Sequence, residues 1–247
     1  MKKRDELAHS NAMVVADAGI GMASRKLEYS DAVAGPLRNH AVSAMAVYAA
    51  GLEVYPGASS GTPVAKDVGL VGRFASSFEV ESKTKDGAQV ARGSLNRYAL
   101  GVRGRILAGD KKDGALIGLE ATYGVWAFVF RGLDDVVSDA LAVDYKYVRA
   151  AADARLPWGP LALLGGAGYM NISSAGPFSD RFPHASIQGV DAKVGAAYAV
   201  ASQVGVRALL TYTRIFSSAH PDLGAPYIAG GALDQYVIVD LGVSAIF

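Results

Sequence analysis

Apolar and polar residues alternate along most of this chain of 247 residues. In residues 236–247, every second position counted back from Phe247 is apolar, whereas the opposite face carries Asp240 and Gly242 and has two isoleucines as exceptions. Because successive side chains of a strand point to opposite sides, the pattern predicts a strand with one apolar and one mostly polar face.

The same two-faced pattern recurs with turn signals between the segments, and no stretch shows helical periodicity of useful length. One further segment, 161–172, is apolar on both faces, so its phase is not set by the sequence. The alternating segments are 14–25, 43–54, 68–80, 95–108, 115–125, 148–156, 190–200, 204–216 and 236–247. Each is near the roughly 9–11 residues that a strand needs to cross a bilayer.

Short and long connections alternate between these segments. Tight turns are predicted at 109–114, 157–160 and 201–202, and a somewhat longer one at 55–67. The long polar links are 29–42, 82–89, 130–139, 173–186 and 217–233. The sequence therefore predicts an all-β fold, a transmembrane antiparallel meander β-barrel of about ten strands, with 8 or 12 as alternatives. An even strand number places both termini at the short-turn end.

Alternation alone does not say which face points inward, and a soluble lipocalin-like barrel would alternate as well. Two features favour the membrane. Charged residues make up 19% of the chain, below the roughly 25% of soluble domains. Aromatic residues on the apolar face lie near strand ends, as in an interfacial girdle. These residues are Tyr48, Phe74, Phe78, Tyr98, Tyr123, Tyr198, Tyr212 and Phe247.

The end of the chain carries a more specific signal. Asp240-x-Gly242-x-x-Ala245-x-Phe247 resembles the C-terminal β-signal of Gram-negative outer-membrane β-barrels, although Ala245 is small for its position. The resemblance implies an outer-membrane location with surrounding lipid, periplasmic termini and extracellular long loops. It also implies that the barrel-assembly machinery reads Asp240, Gly242, Ala245 and Phe247.

One domain is expected. Residues 13–247 form the barrel, and residues 1–12 form a disordered tail or a processing remnant, because Asp5 and Glu6 follow the initial basic residues at once and no apolar stretch follows. The net charge of +1 argues against nucleic acid as a partner. The chain has no Cys and four scattered His, so no metal, cofactor or thiol chemistry is proposed.

Many charged residues fall on the face predicted to line the lumen, with a small basic excess around Arg97, Arg103 and Arg105. The candidates are Asp17, Arg25, Glu53, Arg73, Glu79, Arg97, Arg103, Arg105, Glu120, Arg149, Asp153, Arg155, Asp191, Lys193, Arg207 and Asp240. They could pair and fill a narrow interior, or line a small pore that favours anions. The expected pairs are Arg103 or Arg105 with Glu120, and Arg207 with Asp240.

Acidic and His residues in the long links invite comparison with omptin proteases, which are barrels of similar strand number. Asp134-Asp135 and His220-Pro221-Asp222 are the relevant groups. Because no second acid pair is present and the strands are predicted to be shorter at the loop end, the chain is predicted not to be an enzyme. Tyr145 and Tyr147 look out of phase with Val148, which suggests a β-bulge.

Two functions remain open at this point. The first is a narrow, porin-like conduit for ions or small solutes. The second is a structural or adhesive barrel with a filled lumen, acting as a component of a trans-envelope secretion or motility machine. Exposed aromatic residues are predicted in 173–186 and 217–233, among them Phe178, Phe182 and Tyr227. They would suit contact with envelope protein partners, or folding inward as a lid.

Overall fold

The structure, a computed structural model, describes residues 12–33, 37–60, 62, 64–83, 90–109, 114–131, 141–222 and 224–247, and only the backbone of 82–83 and 90–91. A five-residue helix, α1 (Pro177–Arg181), and a 3₁₀ turn (Ala65–Asp67) accompany the strands. The strands are β1 (Val14–Ser30), β2 (His40–Val54), β3 (Val68–Ser77), β4 (Val80–Lys83), β5 (Val90–Ala108), β6 (Ala115–Arg131), β7 (Val143–Trp158), β8 (Leu161–Ala175), β9 (Ser186–Ala199), β10 (Val204–Ser218) and β11 (Gly231–Ile246).

All neighbouring strands pair antiparallel and in chain order, and the sheet closes on itself. β3 and β4 both pair with β5, so they are two parts of one barrel strand that is interrupted at Phe78 and Glu79. β1 pairs with β11 from Val15 opposite Ile246 to Ser30 opposite Gly231. The result is a closed meander barrel of ten strands, which confirms the predicted fold.

The apolar face of the strands forms the outer wall. On β11, Val237, Val239, Leu241 and Val243 are all exposed, and Leu241 reaches 63%. A water-soluble barrel would bury such residues, because exposing contiguous apolar surface to water is costly. The lipocalin-like alternative is therefore wrong, and the outer wall has the character of a lipid-facing surface.

The strands extend further toward the long links than the sequence predicted. β1 runs to Ser30, β6 runs to Arg131, and β11 already begins at Gly231. Alternation continues in these extensions, but its polarity is reversed: Leu27 is buried inside, whereas Lys26 is exposed outside. The expectation of short strands at the loop end was wrong because it followed apolar residues only where they face outward.

Two tyrosines of β7 face the interior of the barrel, although the sequence suggested a change of face at this point. Tyr145 and Tyr147 are both buried inside, on the same face as Arg149, so the phase of β7 does not change. A bulge does occur at this level. Tyr147 pairs with Ile172 and Lys146 with Ser174, so the extra residue is Ser173, on the neighbouring strand β8.

Segments outside the strands pack at both ends of the barrel. Ala12 packs against Val15 and Ile246 at the short-turn end, whereas residues 1–11 lie outside the described residues. The single-barrel boundary at residue 13 stays a prediction. At the other end, α1 turns Phe178 inward. No helix among the described residues is both long and apolar enough to span a membrane.

The closing seam between β1 and β11 depends on a close backbone approach at Gly21, which faces inward. A Cβ built there would overlap the carbonyl oxygen of Val239 on β11. We predict that Gly21→Ala lowers the yield of folded barrel and its urea midpoint in detergent, measured by far-UV circular dichroism. Gly104→Ala is the matched control, because a Cβ there meets nothing within 4 Å. Equal behaviour of the two variants would contradict this account of the seam.

Candidate functional site

The inner wall at the short-turn half of the barrel carries a network of ion pairs centred on Glu120. This buried carboxylate accepts a hydrogen bond from Arg149 Nη1 at 3.2 Å and lies 3.5 Å from Arg73 Nη2 and 3.6 Å from Arg103 Nη1. Glu120 lies on β6, and the three arginines lie on β7, β3 and β5. One carboxylate therefore connects four strands across the interior.

Each arginine also has a second carboxylate partner. Arg149 donates to both oxygens of Asp191 at 2.7 Å, and Arg103 donates to both oxygens of Asp153 at 2.6 and 2.7 Å. Two-point pairing of this kind is the strongest form of charge-assisted hydrogen bond. The arginines are consequently held in fixed orientations.

Further contacts extend the network around the barrel. Glu53 accepts from Arg73 at 2.6 Å and lies 3.2 Å from Arg103 Nε. Asp153 also accepts from the Lys193 ammonium at 3.3 Å. The network thus reaches from β2 to β9 and compensates most of the charge of the inner wall.

Arg207 lies between Asp17 and Asp240, 3.6 Å from an oxygen of each. The predicted approach of Arg207 to Asp240 is therefore present, as is that of Arg103 to Glu120. Arg105, the alternative partner predicted for Glu120, lies instead at the floor of the barrel. Its guanidinium lies 3.8 Å from the centre of the Tyr55 ring and donates to the Ala12 and Lys66 carbonyls.

Tyr55 lies in the turn after β2 and forms part of the floor of the barrel. Its hydroxyl donates to Glu53 Oε2 at 2.8 Å. Burial and the adjacent Glu53 carboxylate raise the pKa of the Tyr55 hydroxyl above its usual range. Tyr55 therefore stays a neutral hydrogen-bond donor beneath the charged network.

Fourteen of the sixteen residues predicted to line the lumen surround one cavity of about 300 Å³ in this half of the barrel. The cavity reaches the short-turn ends of the strands, where Leu116 and Leu164 line it. The fourteen are Asp17, Glu53, Arg73, Arg97, Arg103, Arg105, Glu120, Arg149, Asp153, Arg155, Asp191, Lys193, Arg207 and Asp240. Eight are basic and six acidic, so the cavity is suited to water and small ions.

Glu79 and Arg25 do not line this cavity. Glu79 lies at the interruption between β3 and β4, where the alternation of side chains does not carry through, and it pairs with Arg131 at 3.5 Å on the exposed side. Its prediction as a lumen residue was therefore wrong. Arg25 faces inward as predicted, but it lies at the loop half of the barrel, within an apolar environment.

The loop half of the interior is filled by a cluster of 23 buried apolar residues among those described, which we call the apolar plug. Its rings pack closely, with Trp126 and Tyr236 centred 4.5 Å apart. Its largest members are Leu27, Met45, Leu95, Trp126, Phe128, Phe130, Tyr145, Tyr147, Met170, Phe178, Phe182 and Tyr236. Arg97 marks the lower boundary of the plug, with its guanidinium 4.4 Å from the Trp126 ring centre.

One ion pair lies inside the apolar plug. Arg25 Nε and Nη2 donate to the two oxygens of Asp234 at 2.9 and 2.8 Å, and the two side chains are 0% and 2% exposed. Tyr145 and Tyr236 each donate their hydroxyl to Asp234 Oδ2 at 2.9 Å. Arg25 Nη1 donates to the Leu141 carbonyl at 2.9 Å, which ties the end of the β6–β7 connection into the barrel.

Sequence reasoning missed Asp234 because it lies just before the segment predicted as the last strand. The signal was present: Asp234 shares the parity of Tyr236 and Asp240, the inward face of β11. Continuing the alternation by two residues would have placed it inside. A carboxylate at such a position needs a partner, and Arg25 is on the adjacent strand, β1.

The loop residues considered for catalysis lie in open surroundings. His184 Nε2 is 3.5 Å from Asp222 Oδ2, with the side chains 63% and 71% exposed. Asp134 and Asp135 lie outside the described residues. Among the residues that the structure does describe, no group of three or more potential ligands could hold a metal ion.

Comparison with known proteins gives similarity in structure only. No protein-family model matches the chain, and no curated protein matches it. Neisserial surface protein A is 9% identical, with 96% of this chain and 98% of that chain covered and a TM-score of 0.40. The transport unit of the Escherichia coli autotransporter AIDA-I is 12% identical, with coverage of 100% and 92% and a TM-score of 0.45. The outer membrane protein AlkL is 12% identical, with coverage of 96% and 91% and a TM-score of 0.35.

The class of protein follows from the molecule itself. A closed antiparallel meander with an even strand number, an apolar outer wall and a charged inner wall defines a transmembrane β-barrel of the outer-membrane type. The interior of this barrel is divided into a charged half and an apolar plug.

The buried pair of Arg25 and Asp234 leads to a stability prediction. Asp234→Asn removes the charge that compensates Arg25 in apolar surroundings, so we expect a loss of about 3–5 kcal/mol. The measurement is urea unfolding in detergent, followed by Trp fluorescence, since Trp126 lies in the plug. Arg131→Gln breaks an exposed pair and should cost less than about 1 kcal/mol. If Asp234→Asn lowers the free energy of unfolding as little as the control does, the buried pair does not stabilise the barrel as proposed.

Proposed function

We propose that this protein is a non-enzymatic, non-conducting structural barrel of the outer membrane, with a filled lumen, which acts as a component of a larger envelope assembly. The observation that carries the proposal is the apolar plug, which fills the loop half of the interior with packed, fully buried side chains. Ions and polar solutes would need a water-filled path, and a constriction lined only by apolar groups disfavours water.

Displacing the plug would be costly. Burying one large apolar side chain contributes about 1.5–3 kcal/mol, and the plug holds many of them. The bond from Arg25 to the Leu141 carbonyl further ties the β6–β7 connection to the barrel wall. These contacts favour a plug that stays in place during the life of the folded protein.

A narrow conduit is the second candidate. The cavity of about 300 Å³ favours it, because this cavity is lined by charged groups and reaches the short-turn end. Conduction would require the plug to move aside, since Arg97, which lines the cavity, stacks on Trp126 and donates to the Tyr147 hydroxyl of the plug. We rank the conduit second for this reason.

For orientation, we infer periplasmic termini and extracellular long loops in a Gram-negative outer membrane. The residue before β1 meets the last residue of the barrel at the short-turn end, where Met13 N–H donates to the Phe247 carbonyl at 2.7 Å. The last strand presents Asp240 and Gly242 inward and Phe247 outward, and its resemblance to the β-signal supports recognition by the barrel-assembly machinery. Ala245 stands at the position where that signal usually has a larger residue.

The loop end is the surface available to envelope partners. Phe178 and Phe182 pack into the plug with ring centres 5.0 Å apart, which supports the lid interpretation of 173–186 over direct contact with a partner. Partner contact would instead involve exposed residues such as Val33, His184 and Asp222. Because the His184–Asp222 couple lies open to solvent, the proposal includes no catalytic step.

Planar-bilayer recording tests the proposal. We expect no stepwise current from the unmodified barrel at any applied voltage, because the plug blocks the lumen. Replacing both Trp126 and Tyr236 by Ala removes the ring pair above the charged cavity, and we expect stepwise currents from this variant.

Val239→Ala is the control, since Val239 lies on the same strand as Tyr236 but faces outward. Far-UV circular dichroism would establish that each variant is folded. Steps from the unmodified barrel equal to those of the double variant would favour the conduit and refute the closed barrel.

A further inference from the structure

A short row of polar residues interrupts the apolar outer wall near the loop ends of β10, β11 and β1. Three polar residues stand side by side there: Arg214 pairs in register with Gln235, and Gln235 with Lys26. All three face outward. Because neighbouring strands lie about 4.8 Å apart, the row is about 10 Å long. We call it the basic row.

The basic row lies near the loop-end edge of the apolar wall. Toward the loops, the next outward residues of β10 and β11 are Phe216 and Leu233, and both strands end within two residues of them. Directly toward the short turns, the outward residues of β10 and β11 are Tyr212 and Val237, and all outward positions beyond them on these strands are apolar. The Tyr212 hydroxyl donates to Gln235 Oε1 at 2.7 Å. A tyrosine with its ring in the apolar wall and its hydroxyl in the polar zone is typical of the membrane interface. The basic row is thus at the depth of lipid headgroups.

The donors of the basic row are not used up within the protein. Among the described residues, no carboxylate forms an ion pair with the Arg214 guanidinium. Gln235 accepts the Tyr212 proton at its oxygen, which leaves its amide hydrogens to donate. Lys26 has one acidic neighbour, Glu28 at 2.8 Å, and its side chain is still 58% exposed.

The opposite wall offers an internal comparison. Its outward arginines at the loop end, Arg92 and Arg131, are each paired with a glutamate, at 3.1 Å to Glu81 and 3.5 Å to Glu79. On β9, Val190 is in register with Arg214, and the outward polar residues Gln188 and Asn171 lie one step nearer the loops. Arg214 thus lacks the carboxylate partner that Arg92 and Arg131 have.

We propose that the basic row binds the phosphate of an anionic lipid headgroup in the leaflet that faces the loops. The Arg214 guanidinium matches two phosphate oxygens, and the Gln235 amide and the Lys26 ammonium supply further donors along the row. Burial at the interface strengthens such charge-assisted bonds, because the headgroup region is less polar than bulk water. The inference requires a barrel that spans a membrane and does not depend on whether the lumen conducts.

Native mass spectrometry of the whole chain in detergent tests the inference, with phosphatidylglycerol and phosphatidylcholine as probes. We expect phosphatidylglycerol to be retained in preference to phosphatidylcholine. Arg214→Gln removes the two-point contact and should weaken phosphatidylglycerol binding about tenfold, as expected for a charge-assisted hydrogen bond. Arg214→Lys keeps the charge but not the planar fork, so an intermediate loss is expected.

Arg92→Gln is the matched control, since Arg92 is an outward arginine at the same end of the barrel but is paired with Glu81. It should leave binding unchanged, and circular dichroism would verify that all variants are folded. No preference for phosphatidylglycerol, or an equal loss in Arg92→Gln and Arg214→Gln, would overturn the inference. Bilayer conductance plays no part in these outcomes, so a failure here leaves the closed-barrel proposal to its own test.

Discussion

Backbone N–H and C=O groups in hydrocarbon have no water to bond with, so a sheet in a membrane must close on itself. In this chain the closure is the antiparallel pairing of β1 with β11, which extends from Val15 opposite Ile246 to Ser30 opposite Gly231. The seam brings Asp17 and Asp240 together around Arg207, and it brings Arg25 next to Asp234. Each half of the interior therefore has an ion pair that depends on the strand pair completing the barrel.

Reversal of polarity along the strands is the second organising feature. At the short-turn half, apolar residues face outward and charges face inward, whereas at the loop half the inward face is apolar. In the charged half, Glu53, Glu120 and Asp153 each pair with more than one cation, and Glu120 alone contacts Arg73, Arg103 and Arg149. The apolar half resembles the core of a soluble protein, and it holds one ion pair whose hydrogen bonds are completed by tyrosine hydroxyls. A single barrel thus combines a polar cavity with a packed apolar cluster.

Much of this could be predicted from the sequence because the side-chain period of a strand is fixed. The phase of Asp17, Glu120 and Arg207 followed directly from alternation, as did the ten strands. The loop half could not be predicted in the same way. Leu27 and Lys26 continue the alternation of apolar and polar residues, but here the apolar residue faces inward and the polar residue faces outward. Only the three-dimensional neighbours of these residues show which face is inside.

Local departures from alternation explain the remaining errors. Glu79 falls at the interruption between β3 and β4, where side-chain direction is no longer set by the strand. Of the two arginines expected to approach Glu120, Arg103 does so, whereas Arg105 donates to the Ala12 and Lys66 carbonyls and lies 3.4 Å from Asp67. Pairings of long side chains depend on such choices, which spacing along the chain does not fix.

The central claim is that the interior is sealed at the loop end and accessible only from the short-turn end. The absence of native Cys allows a direct measurement with single-Cys variants in oriented proteoliposomes and a water-soluble thiol reagent added to one side. Leu209 lines the charged cavity, and the adjacent Leu210 faces the lipid. The account predicts that Leu209→Cys is labelled from the short-turn side alone and that Leu210→Cys is labelled from neither side. Labelling of Leu209→Cys from the loop side would contradict it.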